Sequence, residues 1–345
     1  MSLHVIKIDE NNKWDKIVRS FKDCDVYYLS GYVKAFYLHG DGEPLLFYFD
    51  NGKTRAINVS MRRKINNKYF DLSTPYGYGG FLIEGTDWQE LRGEYIKWCG
   101  ENNIVSEFVR FHPLLNNAKN QININIYETV LLGNTVYIDV SDKDKIWNNF
   151  STRNRNIIKN LLKNSDLKIY HGMDESLLNE FINLYNSTMD KNNADNYYYF
   201  KIDFYKSILR DLKDNALFFY VKYFDEIIAM AIILFYNNKM HYHLSGTKKQ
   251  YQNLSPLKLI LCEAAFWGSE NNYKEFHLGG GRGVKNDSLY QFKKLFNKNE
   301  DKEFYIGKAV YDEYIYNNLT EIRKSAGNFT DSNYFPSYRQ PMLKI

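Results

Sequence analysis

A short stretch of this chain is written twice, about 169 residues apart. The first copy runs Trp98-Cys99-Gly100-Glu101-Asn102-Asn103-Ile104-Val105-Ser106-Glu107-Phe108; the second runs Trp267-Gly268-Ser269-Glu270-Asn271-Asn272-Tyr273-Lys274-Glu275-Phe276. In each, a helix-like segment carrying a tryptophan passes through Glu-Asn-Asn into an apolar run with strand character. Asn and Glu are common here, so the match gains weight only if the flanking elements repeat as well.

They repeat. Ahead of the first copy, Leu45–Phe49 and Thr54–Arg63 flank Asn51-Gly52, a strong hairpin signal, and a break at Asn66-Asn67 leads to Tyr69–Leu72. Ahead of the second, Ala216–Tyr223, Ile227–Tyr236 and Met240–Ser245 are separated by Phe224-Asp225-Glu226 and Asn237-Asn238. Both halves read strand, strand, strand, loop, helix, strand. The helix crossing to a further strand implies a locally parallel pair. The expected fold class is α/β (α+β): two tandem domains, 1–145 and 146–345, each a mixed sheet flanked by helices.

A length of 345 residues suits two domains, and 44% hydrophobic residues can bury both cores. No run reaches the roughly 18–20 apolar residues that span a bilayer, and no signal peptide opens the sequence. Cys24, Cys99 and Cys262 are odd in number, far apart and outside metal-ligand spacing. They point to a reducing cytoplasm and to no bound metal. A net charge of +4 is too small for a dedicated DNA binder but allows a local patch for anionic ligands.

The junction between the halves falls near 133–147. Beyond it comes a basic helix, 151–163, capped by Ser151 or Thr152. Its expected buried stripe is Ile157, Ile158, Leu161 and Leu162, with Arg155, Lys159 and Lys163 on a second face. That face is either solvated or a phosphate grip through paired arginine N–H groups. The loop Leu72–Phe81 mixes glycines with Tyr76 and Tyr78, which offer flat rings and hydroxyls; structural and binding readings both stay open. Its counterpart, Gly246–Leu254, leads to Ser255-Pro256, a sharp helix start, and carries Lys248 and Lys249 with Lys258 nearby. The run Leu278-Gly279-Gly280-Gly281-Arg282-Gly283 precedes a helix capped by Asp287 or Ser288 and bearing Lys293. On Met240–Ser245, alternation places His241 and His243 on one face and Tyr242 on the other. They are metal-binding or, more simply, structural histidines, and no third ligand is evident.

These residues together resemble the Fem-type peptidyltransferases, tandem acyltransferases whose halves have the GCN5-related N-acetyltransferase (GNAT) fold. The resemblance spans about residues 25–315. It rests on Thr152-Arg153-Asn154-Arg155-Asn156-Ile157, on Ser255–Leu259, and most specifically on Leu278–Gly281 followed by Asp287–Lys293. It implies that Lys34, in Tyr32-Val33-Lys34, holds a diphosphate with Arg153 or Arg155, and that Lys293 lies near the transferred acyl group. His112, in Arg110-Phe111-His112-Pro113, stands where the family carries an acid. Lys293, His243 and His112 are therefore the catalytic candidates. Lys34, Tyr76, Tyr78, Arg153, Arg155, Tyr242, Lys258 and Arg282 are the substrate-binding ones.

The implied activity is transfer of an amino acid from aminoacyl-tRNA to an amine of an anionic, nucleotide-linked peptidoglycan precursor in the cytoplasm, with no tightly bound cofactor. Two alternatives stay open: an acyl-CoA-dependent N-acyltransferase acting on an amino sugar or small amine, and a non-catalytic module that holds an anionic ligand. Neither half shows the usual GNAT pyrophosphate loop.

Overall fold

A computed structural model describes residues 2–341 except 87, 285, 328 and 330–333. The strands are β1 (Leu3–Lys7), β2 (Glu43–Asp50), β3 (Arg55–Lys64), β4 (Phe70–Ser73), β5 (Leu82–Glu84), β6 (Ile104–Arg110), β7 (Glu128–Asp139), β8 (Leu167–Gly172), β9 (Ala216–Tyr223), β10 (Glu226–Tyr236), β11 (Lys239–Thr247), β12 (Glu275–Gly279) and β13 (Lys302–Val310). The chain forms two compact units, Met1–Leu132 with Phe304–Ile345, and Gly133–Glu303. Dividing the sequence at 145/146 misses the return of the C-terminal segment to the first unit.

The repeat seen in sequence is a repeat of topology. In the first unit the strand order is β1-β2-β3-β4-β6-β13, with β5 added to β3. Only β4 and β6 run parallel among these pairs, joined across the helix Gln89–Glu101. In the second unit the order is β8-β9-β10-β11-β12-β7, and the parallel pair is β11 with β12, joined across Pro256–Glu270. Each unit thus closes with an antiparallel strand beside its crossover strand, β13 beside β6 and β7 beside β12. The strand following β6 in the chain serves the second unit, and the strand following β12 serves the first.

The Glu-Asn-Asn echo is a repeated helix stop. Asn102 and Asn271 end the two crossover helices, and their side-chain amides donate to the Trp98 and Trp267 carbonyls at 2.9 and 2.8 Å. The next residues, Asn103 (φ 54°) and Asn272 (φ 64°), take the left-handed conformation that turns the chain into the crossover strand. Asn tolerates this conformation better than other non-glycine residues, which is why the dipeptide recurs.

The turns follow the same logic. Asn51 Oδ1 accepts from the Lys53 and Thr54 N–H groups, and Gly52 takes φ 80° between β2 and β3. Asn237 and Asn238 both take positive φ between β10 and β11, as a tight hairpin of matching twist requires.

The second unit's sheet is buried on both faces. On β9, Phe219 and Val221 join the core formed with Pro256–Glu270, while Phe218 packs at a tilt against Phe181 of the helix Leu178–Lys191, with ring centres 5.3 Å apart. Strand β10 is apolar from Ile227 to Phe235 for this reason, and each fully buried Ile or Leu contributes about 1.5–3 kcal/mol. Gly246 on β11 lets that helix approach closely: a Cβ there would lie 2.3 Å from the Leu184 carbonyl carbon.

The first unit's core is organised around a carboxylate. Glu107 of β6 is fully buried and accepts from the hydroxyls of Tyr311 (2.7 Å), Tyr95 (2.9 Å), Tyr127 (3.0 Å) and Ser60 (3.2 Å). Burial raises its pKa, and these donors oppose the rise.

Candidate functional site

In the second unit, Ser151 Oγ accepts from the Asn154 N–H at 3.2 Å and starts the helix Thr152–Leu162. Its inward face differs from the expected stripe. Asn154 and Ile158 are fully buried, whereas Leu162 is 60% exposed. Four-residue spacing puts Asn154 on the Ile158 face, so a polar residue is carried into the core. Arg153 on the same turn is exposed, Arg155 is half-buried and donates to Thr152 Oγ1 at 3.3 Å, and Lys159 lies over the Trp147 ring.

Asn154 meets Lys258. The Lys258 ammonium donates to Asn154 Oδ1 at 2.8 Å, and it lies 5.5 Å from the Phe292 ring centre and 6.0 Å from that of Phe296. Burial, followed by the positive charge of Arg153, lowers its pKa to about 8. Lys258 sits in the first turn of Pro256–Glu270. The expected serine cap is not made there: Ser255 takes φ 50°, and its side chain accepts no capping hydrogen bond.

Lys293 follows Phe292 on the helix Ser288–Lys294, which is capped by Asp287 Oδ1 accepting from the Tyr290 N–H at 2.9 Å. The Lys293 ammonium donates to the Gly280 carbonyl at 2.7 Å, which ties the helix to the triple-glycine loop. Burial lowers its pKa to about 8, opposed by Asp287. Arg282, just after the loop, is exposed; its N–H donates to Asp287 Oδ2 at 3.0 Å and its guanidinium to Asn192 Oδ1 at 2.7 Å. Asn154, Lys258, Phe292, Lys293 and Gly280 are therefore linked by a run of direct contacts and adjacent residues, with Arg153 and Arg282 nearby.

Neither Lys258 nor Lys293 has a carboxylate within ion-pair distance among the described residues, although both are buried. The more exposed lysines do. Lys248 pairs with Glu180 and Glu226, each at 3.0 Å, Lys294 with Asp301 at 2.7 Å, and Lys302 with Glu275 at 3.1 Å. Lys239, also buried, donates to the Asn237 carbonyl at its hairpin. A buried ammonium without a counter-ion costs several kcal/mol, a cost that an anion or a developing negative charge beside it would offset.

The β11 histidines depart from simple alternation. Ile232 pairs with Leu244 and Ile233 with Tyr242, so His243 is the extra residue of a β-bulge. Part of His243 is exposed, yet desolvation and then neighbouring His241 push its imidazole down to about 3. It is neutral near pH 7 and a weak base. Tyr242 shares a short hydrogen bond with Ser245, and burial pushes its phenol up to about 12. Among residues not singled out from sequence, His277 Nε2 lies 2.8 Å from Thr135 Oγ1.

In the first unit, His112 and Asp25 are both buried, and His112 Nε2 lies 2.8 Å from Asp25 Oδ2. Tyr27 and Tyr78 pack against the imidazole with ring centres 5.6 and 5.8 Å away. Tyr78 is raised by burial. The glycine–tyrosine loop is braced: Arg110 donates to the Gly77 and Pro75 carbonyls at 3.1 and 3.2 Å, and the Tyr32 hydroxyl donates to the Tyr76 carbonyl. Gly77 takes φ 103°, and a Cβ there would lie 2.6 Å from the Tyr27 ring. Lys34 is half-buried on the helix Ser30–His39, two residues beyond Tyr32.

Sequence reasoning missed Asn154 and Glu107. The signal for Asn154 was its spacing from Ile158; Glu107 sits inside the first copy of the repeat, with no local sign of its three tyrosine partners.

Residues 149–294 match the family model described as Acetyltransferase (GNAT) domain, which takes in Asn154, Lys258 and Lys293. No curated protein matches the chain. Solved structures share its fold at low identity. A FemX is 12% identical with a TM-score of 0.67, covering 92% of this chain and 99% of that one. L-PGS from Bacillus licheniformis is 14% identical with a TM-score of 0.57, covering 86% and 91%. The C-terminal domain of a putative lysylphosphatidylglycerol synthetase from Agrobacterium fabrum is 11% identical with a TM-score of 0.57, covering 88% and 94%. No described helix is long and apolar enough to cross a membrane. The chain has the GNAT-type acyltransferase fold, shared over nearly the whole length of FemX, and its activity class is acyl transfer.

Proposed function

We propose that this acyltransferase is an aminoacyltransferase, taking an amino acid from aminoacyl-tRNA and placing it on an amine of a nucleotide-linked peptidoglycan precursor. The observation that carries the reading is Lys293, a buried ammonium held by the Gly280 carbonyl and lacking a carboxylate, inside the stretch that matches the GNAT domain. The likeness to FemX and to L-PGS supports the same class of reaction.

The amine nitrogen attacks the ester carbonyl carbon, giving a tetrahedral centre whose oxygen is negative. The carbon–oxygen bond to the tRNA ribose then breaks, and the proton lost by the amine ends on that leaving oxygen. No covalent enzyme intermediate is needed; positioning and charge stabilisation supply the catalysis. Lys293 neutralises the developing oxyanion. In the first unit Lys34 is assigned to phosphate oxygens and Tyr76 and Tyr78 to substrate contact; in the second, Arg153, Arg155 and Arg282 are assigned to phosphate oxygens and Tyr242 to substrate contact. His112, the other histidine candidate, has Asp25 as its partner at 2.8 Å. His243, neutral and weakly basic, accepts a hydrogen bond from the attacking amine. No tightly bound cofactor takes part, and both substrates are cytoplasmic species.

The test is transfer of radiolabelled amino acid from charged tRNA to a UDP-linked muropeptide, in wild type and in Lys293→Met. Full activity in the variant would remove Lys293 from the mechanism. A second reading, acyl-CoA-dependent N-acylation, is favoured by the description of the matched family as an acetyltransferase domain. Turnover with a CoA thioester and none with charged tRNA would establish it instead.

A further inference from the structure

We propose that the segment 334–341 is a strap that positions the glycine–tyrosine loop of the first unit, acting along one row of side chains on β6. The coupling rests on contacts within that unit; what the loop's placement does for catalysis rests on the acyltransferase reading. Alternation along β6 sends Glu107 and Val109 into the core shared with Tyr95 of the helix Gln89–Glu101. Ser106, Phe108 and Arg110 therefore line the opposite face.

The strap seats on the first two of these. The Tyr338 hydroxyl donates to Asp71 Oδ2 at 3.0 Å and, having one hydrogen, accepts from Ser106 Oγ at 2.7 Å. Arg339 donates to the same buried carboxylate and to the Lys64 carbonyl at 3.0 Å. The Phe335 ring meets that of Phe108 with centres 6.5 Å apart, stacks on Tyr316 at 5.8 Å, and has the Lys308 ammonium 6.0 Å from its centre. Arg323 of the helix Glu313–Ser325 donates to the Gln340 and Pro341 carbonyls at 2.8 and 3.1 Å. The segment contributes no strand to the sheet, so these contacts seat it, and such an element opens locally at lower cost than the strands beneath it.

The other end of the row grips the loop. The Phe108 and Arg110 carbonyls accept from the Thr74 and Gly79 N–H groups at 3.1 and 2.8 Å, and the Arg110 N–H donates to Thr74 Oγ1 at 3.1 Å. The guanidinium of Arg110 holds the Gly77 and Pro75 carbonyls and lies 5.8 Å from the Phe108 ring centre. Phe108 thus meets the strap through its ring, and the loop through its carbonyl and through Arg110. A guanidinium laid against an aromatic ring keeps its orientation while that ring is held, so Phe335 on Phe108 steadies the brace on Gly77, between Tyr76 and Tyr78.

The experiment is amide hydrogen exchange on the full chain. It compares wild type with Phe335→Ala, with the double variant Tyr338→Phe/Arg339→Met, and with the control Tyr314→Ala, a side chain 74% exposed on the helix Glu313–Ser325. The double variant loses two hydrogen bonds to a buried carboxylate and should exchange at least about tenfold faster both at 334–341 and at 74–79. Phe335→Ala should speed the loop at least about threefold, with Pro256–Glu270 in the second unit at its wild-type rate. If the double variant also loosens Pro256–Glu270, Phe335→Ala alone decides. Faster exchange at 334–341 with the loop at its wild-type rate overturns the coupling, as does an equal loop response to Tyr314→Ala. In transfer assays, Phe335→Ala should raise KM for one substrate at least about fivefold and change kcat less than about twofold. A loosened loop with both KM values unchanged keeps the coupling and removes Tyr76 and Tyr78 from substrate contact. A loosened loop in a protein that transfers no acyl group from any donor keeps the coupling and removes the acyltransferase reading.

Discussion

The two units repeat one topology and bury opposite charges. Among the described residues, the buried carboxylates Asp25, Asp71 and Glu107 all lie in the first unit, and the buried lysines Lys239, Lys258 and Lys293 all lie in the second. The acids are met: Asp71 by Arg63 at 2.8 Å, by Tyr338 at 3.0 Å and by Arg339; Glu107 by three tyrosine hydroxyls; Asp25 by His112. Among the described residues, Lys258 and Lys293 are met only by neutral oxygens. A buried charge with a full set of partners organises a core, whereas one without a counter-ion keeps unused capacity to bind an anion. Duplication supplied two sheets, and divergence made one core self-sufficient and left the other with positive charge to spare.

The largest expected effect tests the self-sufficient half. Glu107→Ala leaves three tyrosine hydroxyls without their acceptor and opens a cavity, and should cost on the order of 3–5 kcal/mol in a urea melt. A loss below about 1 kcal/mol would mean that water or rearrangement replaces the carboxylate, and the contrast with the second unit would weaken.

Lys293→Met reverses the pattern. Transfer should fall about 10²–10³-fold, as when a single oxyanion donor is removed. Stability should hold or rise, because an apolar chain of similar size replaces an ammonium with no counter-ion. Parallel losses of activity and stability would make Lys293 an ordinary structural residue.

Gly246→Ala should cost about 1–3 kcal/mol, because the new Cβ meets the Leu184 backbone, which cannot rotate away. An unchanged melting temperature would show that β11 and the helix Leu178–Lys191 can separate without loss.

The mildest test is a slope. Lys258 and Lys293 have folded pKa values lowered to about 8 from 10.5. Between those limits the unfolded chain binds more protons than the folded one, so stability should rise with pH from about 8 to 10.5. Each lysine contributes less than about 1.4 kcal/mol per pH unit. Replacing Lys258 and Lys293 by Met should flatten the slope, and a slope that survives both replacements belongs to other groups.

Much of the fold could be read from local patterns. Asn51-Gly52 and Asn237-Asn238 marked turns because few residues accept positive φ, and the Glu-Asn-Asn pair marked two helix ends for the same reason. Lys293, the glycine run and Arg153 stood out through a resemblance, and Arg155 through its spacing from Lys159 and Lys163. Other features had no local trace. Leu162 fits an apolar stripe yet faces solvent, because the helix is rotated so that Asn154 and Ile158 point inward. Alternation through β11 is interrupted at His243 by a bulge that depends on the register with β10.

The sequence by itself determined the elements, their order, their duplication and the residue types available for chemistry, because turns, caps and periodicities are set by interactions within a few residues. Only the tertiary structure decided which strand closes each sheet, which acids find tyrosines and arginines, and which lysines are buried without a counter-ion. Those outcomes depend on pairing between segments far apart in the chain: Glu107 with Tyr311, and Lys258 with Asn154. Their energies come from desolvation and hydrogen bonding inside a completed core, which no stretch of sequence contains before the core has formed.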